Sequence, residues 1–174
     1  MTILFCSEKL AKLLGPVPET IPSTAKSKLG NWYGQVFLID GKRNIIVTHI
    51  KTSYAVVLLN VRKSKLNNFN EVFKNSLIKQ LYFDLTINEQ QEIKIRQWLD
   101  VVHLAKSDDY KQTRIAIRDY TAIIREEAKK RSLEKLRSTA IGWGLNNHFI
   151  GTKLKAGKKK FAIPKELMQV LLTT

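Results

Sequence analysis

The strongest chemical pattern in this 174-residue chain is a set of five cations spaced for one face of a helix. At 100° per residue, Lys111, Arg114, Arg118, Arg125 and Lys129 fall within roughly 60° of arc. Thr113, Ala116, Ile117, Tyr120, Ile123 and Ile124 are expected on the opposite, buried face. The span from Lys111 to Lys129 is roughly 27 Å at 1.5 Å per residue, long enough to follow several phosphates. Guanidinium groups offer planar forks to phosphate oxygens, and lysines act as point charges. A second basic group, Lys153, Lys155, Lys158, Lys159 and Lys160, lies between Phe149 and Phe161 and includes Gly157. It reads as a mobile patch beside aromatic surface, a combination used on single strands and RNA.

Other chemistries lack a complete set of residues. His49, His103 and His148 form no His-x-His or i,i+4 pair, and no second cysteine joins them in a metal site. His49 and His103 are expected as core or edge histidines in apolar strands. Residues 151–158 resemble a phosphate-binding loop, but five residues separate the glycines and Lys159 stands where a Ser or Thr must hold Mg²⁺. Gly142-Trp143-Gly144 opens like a dinucleotide fingerprint, yet Asn147 replaces the third glycine. Asp108, Asp109 and Asp119 with Glu126 and Glu127 would suit a divalent cation, since hard cations take carboxylates. The simpler expectation is that Asp108 and Asp109 cap the helix and the glutamates pair with cations one turn away. Cys6 is expected to be a small buried hydrophobe. No cofactor is expected.

Composition sets the frame for these residues. The chain is 44% hydrophobic and 26% charged, as globular domains are, and long enough for one core without disulfides or metal. A single cysteine excludes an internal disulfide and suits a reducing compartment. No basic-then-apolar leader opens the sequence, and its longest apolar run, Tyr54 to Leu59, is far short of the about 20 residues a bilayer span needs. A cytoplasmic location without membrane contact is expected. Thirty Lys and Arg against 15 Asp and Glu give a net charge of +15. Residues 1–128 hold 19 basic and 13 acidic side chains, a net of +6, and residues 129–174 hold 11 and 2, a net of +9. Such a basic excess favours a polyanionic partner.

The elements that must position these groups follow from periodicity. Thr2 to Cys6 reads as a strand, and Ser7 caps a helix Glu8 to Leu14. Residues 15–30, with three of the four prolines, read as an irregular connection, either functional or mobile. Three strands follow, Asn31 to Ile39, Asn44 to Ile50 and Tyr54 to Val61, the first two joined through Asp40-Gly41-Lys42-Arg43 as a hairpin. They are apolar on both sides in places, which a covering of helices on at least one face explains. Leu66, Phe69, Val72, Phe73, Leu77 and Leu81 recur at helical spacing. Thr86-Ile87-Asn88-Glu89 forms a capping box for the next helix, with Ile93, Trp98 and Leu99 inward. Val101 to Ala105 gives one more strand. The cationic helix is expected to lose its buried face near Ala128 and to run on in solvent to Arg137. A last helix starts at Pro164.

Ile3-x-Phe5-Cys6-Ser7-x-Lys9-Leu10, Leu29-Gly30-Asn31-Trp32-Tyr33-Gly34, Asp40-Gly41-Lys42 and Lys106-Ser107-Asp108-Asp109 together resemble a bacterial family registered as a domain of unknown function and met in chromosomes, plasmids and phages. The resemblance covers most of the chain, most closely before residue 125. It implies an α+β fold and assigns no activity or catalytic residue.

The expected protein is therefore a single α+β domain. An antiparallel sheet of four to five strands packs against several helices, with residues 1–128 as core and 129–174 as a basic extension on it. Its expected function is nucleic-acid binding through phosphate contacts, without catalysis. A module of a plasmid or phage conflict system binding an acidic protein is the second reading, and a metal-dependent nuclease the third.

Overall fold

The computed structural model describes residues 2–18, 28–85, 87–106, 110–148, 150–153 and 159–173. In chain order the strands are β1 (Thr2–Cys6), β2 (Trp32–Ile39), β3 (Lys42–His49), β4 (Ala55–Leu58), β5 (Val102–Lys106), β6 (Ile150–Lys153) and β7 (Lys159–Ala162). The helices are α1 (Glu8–Leu14), α2 (Lys63–Leu66), α3 (Phe69–Leu85), α4 (Glu89–Trp98), α5 (Lys111–Arg131), α6 (Ser138–Asn146) and α7 (Pro164–Thr173), with a 3-10 turn at Leu133–Lys135. None of the described helices is long and apolar enough to cross a membrane.

The α+β class is as expected, but the sheet is mixed rather than antiparallel. Its order is β4-β3-β2-β1-β5, and β1 runs parallel to both neighbours. Only β2-β3-β4 form the antiparallel meander. Asp40 and Gly41, with φ of 49° and 70°, make the two-residue turn between Ile39 and Lys42. That positive-φ pair matches the right-handed twist of the strands, which is why Asp-Gly stands there.

Helices cover both faces of the sheet. Leu4, Cys6, Trp32, Ile45, Val47 and Val56 pack with Leu10 of α1, Phe73, Leu77 and Leu81 of α3, Ile95 of α4 and Met168 of α7. The alternate residues Ile3, Phe5, Tyr33, Ile46 and Val57 pack with Ile117, Tyr120 and Ile124 of α5, and with Leu133 and Leu145. Period-2 alternation sends successive side chains into the two cores, so strands buried on both sides read as continuous apolar runs.

Helix ends follow local chemistry with two shifts from expectation. Ser7 Oγ accepts the Leu10 amide and starts α1. The expected box at Thr86 to Glu89 moves to Asn88, whose Oδ1 accepts the Gln91 amide at 2.9 Å while Gln91 Oε1 accepts the Asn88 amide at 3.0 Å. Asn is as good an N-cap as Ser or Thr, so the later position wins. Leu66 lies in the short α2, ahead of the long α3 it was expected to open.

A buried polar cluster joins sheet and helices. Asp84 of α3 accepts from Tyr54 Oη at 2.6 Å, Asn146 Nδ2 at 2.7 Å and Gln80 Nε2 at 2.9 Å. Asn146 also takes the Ala55 amide on its Oδ1 at 2.7 Å and gives Nδ2 to the Ala55 carbonyl at 3.0 Å. Gln80 Nε2 reaches the Thr139 carbonyl of α6 as well. Gly142 makes this approach of α6 to α3 possible, because a Cβ there would lie 2.3 Å from Gln80 Oε1. In an open helix Gly→Ala stabilises by up to about 1 kcal/mol. Here the methyl would displace a side chain pinned by two hydrogen bonds. Gly142→Ala is therefore expected to destabilise the fold by about 1–3 kcal/mol in urea unfolding, the range for overpacking.

Candidate functional site

The helix α5 is built as the sequence demands along its buried side. Thr113, Ile117, Tyr120, Thr121, Ile124 and Ala128 are buried, and burial ends at Ala128. Two details differ. Thr121 takes a place expected for Ile123, which is exposed, and Ala116 is half-buried. The helix also stops at Arg131, where Ser132 turns to a φ of 60°, rather than continuing to Arg137. Its N-cap is Tyr110, without a side-chain capping bond, and Asp108 and Asp109 lie outside the described residues.

All five cations of the stripe are exposed. From the positions of the buried residues, the stripe lies roughly 110° round the helix from the core direction rather than opposite it. Ile115, Asp119, Ala122 and Glu126 hold the outermost line, all exposed. Arg118 meets Asp119 at 3.3 Å and Lys129 meets Glu126 at 2.8 Å. Exposed pairs of this kind contribute little and yield readily to a stronger anion. Arg125 and Lys111 have no ion-pair partner among the described residues. Arg125 and Lys129 border a recess of about 480 Å³ with Leu38, Asp40 and Ser132, beside the β2–β3 turn.

The lysine group divides. Lys153 belongs to β6, and Lys159 and Lys160 to β7, in an antiparallel pair with Lys153 opposite Lys159 and Thr152 opposite Lys160. These three are strand residues. Lys155 and Lys158 lie outside the described residues, as do Phe149 and Gly157.

On the other flank of α5 the structure assembles a groove that the sequence did not disclose. It is about 580 Å³ in volume and runs between α5 and α6, with Ile123, Glu127 and Arg131 on one side and Ile141, Trp143 and His148 on the other. Lys135, Leu136 and Arg137 close one part of it. Its signal in the sequence was slight: one tryptophan between two glycines, in a stretch that failed as a dinucleotide motif.

His49 is fully buried, its ring 5.0 Å from that of Trp32. Nδ1 accepts from the Thr52 hydroxyl at 2.8 Å and the Thr52 amide at 3.2 Å, which leaves the proton on Nε2. Nε2 has no well-aligned partner among the described residues, although the backbone of Leu29 lies near enough to favour the protonated ring slightly. Burial dominates and pushes the pKa down to about 4. His103 is half-buried in β5. Cys6 is buried, and desolvation pushes its thiol up to about 12, so it is no nucleophile at neutral pH. Among the described residues no three His, Cys, Asp or Glu side chains stand together as metal ligands do.

Comparison with known families now gives the class. The family model described as Domain of unknown function (DUF6933) matches residues 3–167, and the chain belongs to that family. No curated protein and no solved structure matches it. Three of the segments that carried the resemblance meet at one point of the sheet, where Cys6 pairs with Gly34 on one side and with Lys106 on the other.

His49 also fixes a pH dependence. Its folded pKa is below the unfolded value near 6.5, so between about pH 6.5 and 4 the unfolded chain binds a proton that the folded chain does not. Stability rises with pH across that window and is lost on acidification. Between pH 7 and pH 5 the loss from this group is expected to be about 2 kcal/mol. Urea unfolding at the two pH values checks it, and His49→Gln should flatten the difference even if it lowers stability at both.

Proposed function

We propose that this protein binds nucleic acid through the phosphate backbone, by contact rather than by catalysis. The observation that carries the reading is the cationic flank of α5: five exposed Lys and Arg side chains on one rigid helix whose other side is anchored by Ile117, Tyr120 and Ile124. A net charge of +15 supplies long-range attraction for any polyanion. The helix holds Arg118 and Arg125 at fixed positions, so their guanidinium groups meet phosphates in register. Lys153 in β6 and Lys159 and Lys160 in β7 belong to the same basic excess.

Nothing in this arrangement favours base-specific readout in a groove. Affinity for duplex therefore follows charge, with log K falling linearly in log salt at about 0.9 per phosphate contact. The Arg118→Ala, Arg125→Ala double variant is expected to lower that slope by about two units and to shorten the bound lifetime. Its Tm should stay within a degree or two, since neither side chain is buried. Anisotropy with a labelled duplex at roughly 50 to 200 mM salt, with a thermal melt alongside, reads all three. No retention of duplex or single strand at the low-salt end overturns the reading. Capture of one acidic protein under those same conditions would instead support the cationic flank as a protein-docking surface.

A further inference from the structure

The groove between α5 and α6 offers a different chemistry from the cationic flank. Trp143 is 48% exposed, whereas Trp32 is fully buried and Trp98 half-buried. Beside it Gly144 leaves open space, with no atom from outside its own stretch of helix within 4 Å of where a Cβ would stand. Arg131, Lys135 and Arg137 are exposed round the same groove. Lys135 and Arg137 have no ion-pair partner among the described residues. The one carboxylate in the lining, Glu127, is already bridged by Lys130 at 3.2 Å and Arg131 at 3.8 Å. Ile123, Leu136 and Ile141 supply apolar wall.

An accessible indole beside three exposed cations, two of them without an ion-pair partner among the described residues, selects among ligands. A purely acidic chain would use the charges and leave the indole idle. An apolar ligand would leave the cations without counter-charge. A duplex keeps its bases stacked inside and presents only its backbone. An unpaired nucleotide uses both features, its base stacking on the aromatic face and its phosphates meeting the cations. We infer that the α5–α6 groove binds a single-stranded segment of nucleic acid, with a base on Trp143 and flanking phosphates on Arg131, Lys135 and Arg137. The inference rests on the nucleic-acid reading above and assigns it a second surface. On the helical wheel, Ile123, Glu127 and Arg131 lie roughly 180° round α5 from the cationic stripe, so the two surfaces are separable by mutation.

The test uses the intact chain with oligo(dT) and oligo(U) of about 12 nucleotides, within the site sizes of single-strand binders. A duplex and a poly-glutamate peptide of similar length are the comparisons. Both single strands are expected to quench tryptophan emission in the wild type, and Trp143→Phe should lose that quenching yet keep most of the affinity. Trp143→Ala is expected to weaken single-strand binding about tenfold and leave duplex binding unchanged. Lys135→Ala with Arg137→Ala should weaken single-strand binding and reduce its salt dependence. The Arg118→Ala, Arg125→Ala variant should keep the quenching. Equal single-strand affinity in Trp143→Ala and wild type overturns the inference, as does quenching by poly-glutamate but by neither oligonucleotide. Duplex binding without single-strand binding also overturns it and leaves the phosphate-tracking reading standing. Failure of every nucleic acid to bind removes both.

Discussion

The carboxylate of Asp84 is the point on which the arrangement of this molecule turns. Burial pushes its pKa up, and the hydrogen bonds from Tyr54, Asn146 and Gln80 pull the other way. A buried carboxylate left without such donors would cost several kcal/mol, so the three partners are constrained as a group. Each partner belongs to a different part of the fold: Tyr54 precedes β4, Gln80 lies one turn earlier in α3, and Asn146 ends α6. Asn146 then acts on the outer edge of β4 as a strand would, offering one acceptor and one donor to Ala55. Ser138 Oγ, at the other end of α6, accepts the Leu59 amide. An exposed edge strand invites pairing with other chains, and here a helix covers it. The same fixation of α6 presents Trp143 to the groove, one residue from the Gly142 that meets Gln80.

Much of the fold was legible because it is local. The Asp40-Gly41 turn, the Ser7 cap and the Pro164 start each depend on residues within a few positions. Strand pairing is not local. Nothing in Thr2 to Cys6 states whether its neighbours run parallel or antiparallel, since both register with the same apolar pattern. The parallel pairs of β1 follow from α1 and the later helices carrying the chain back across the sheet. The capping box at Asn88 rather than Thr86 was hard to place for another reason: two adequate caps stand two residues apart, and Gln91 completes the box at Asn88 by a local hydrogen bond. The end of α5 was misplaced because Ser132 carries no strong breaker signal, yet the 3-10 turn after it buries Leu133.

The candidate surfaces divide in the same way. The cations of α5 were legible because a helix converts spacing into a face. Their position on a flank was not, because Thr121 is buried where the wheel favoured Ile123. The lysines at 159 and 160 gave no alternation of apolar and polar residues, so the strand they belong to left no signal. The groove required two helices brought together by the Asp84 cluster, and its aromatic wall is one residue. Polar clusters of this kind leave little trace in sequence, since Tyr54, Gln80, Asp84 and Asn146 are ordinary residues far apart in the chain.

The position of β1 bears on how the chain reaches this structure. Thr2 pairs with Val102, a hundred residues away, while Leu4 pairs with Trp32. The meander β2-β3-β4 closes over short turns, whereas α2, α3 and α4 lie between β4 and β5. Loop-closure entropy opposes that long-range parallel pairing more than it opposes the closing of the meander. Until it occurs, one side of β1 has no partner, and every residue from Thr2 to Cys6 that is buried in the finished domain stands at an open edge. Without β5, β1 would present an unpaired edge of the kind that invites pairing with other chains. Covering that edge is what the return of the chain through α2, α3 and α4 to β5 accomplishes.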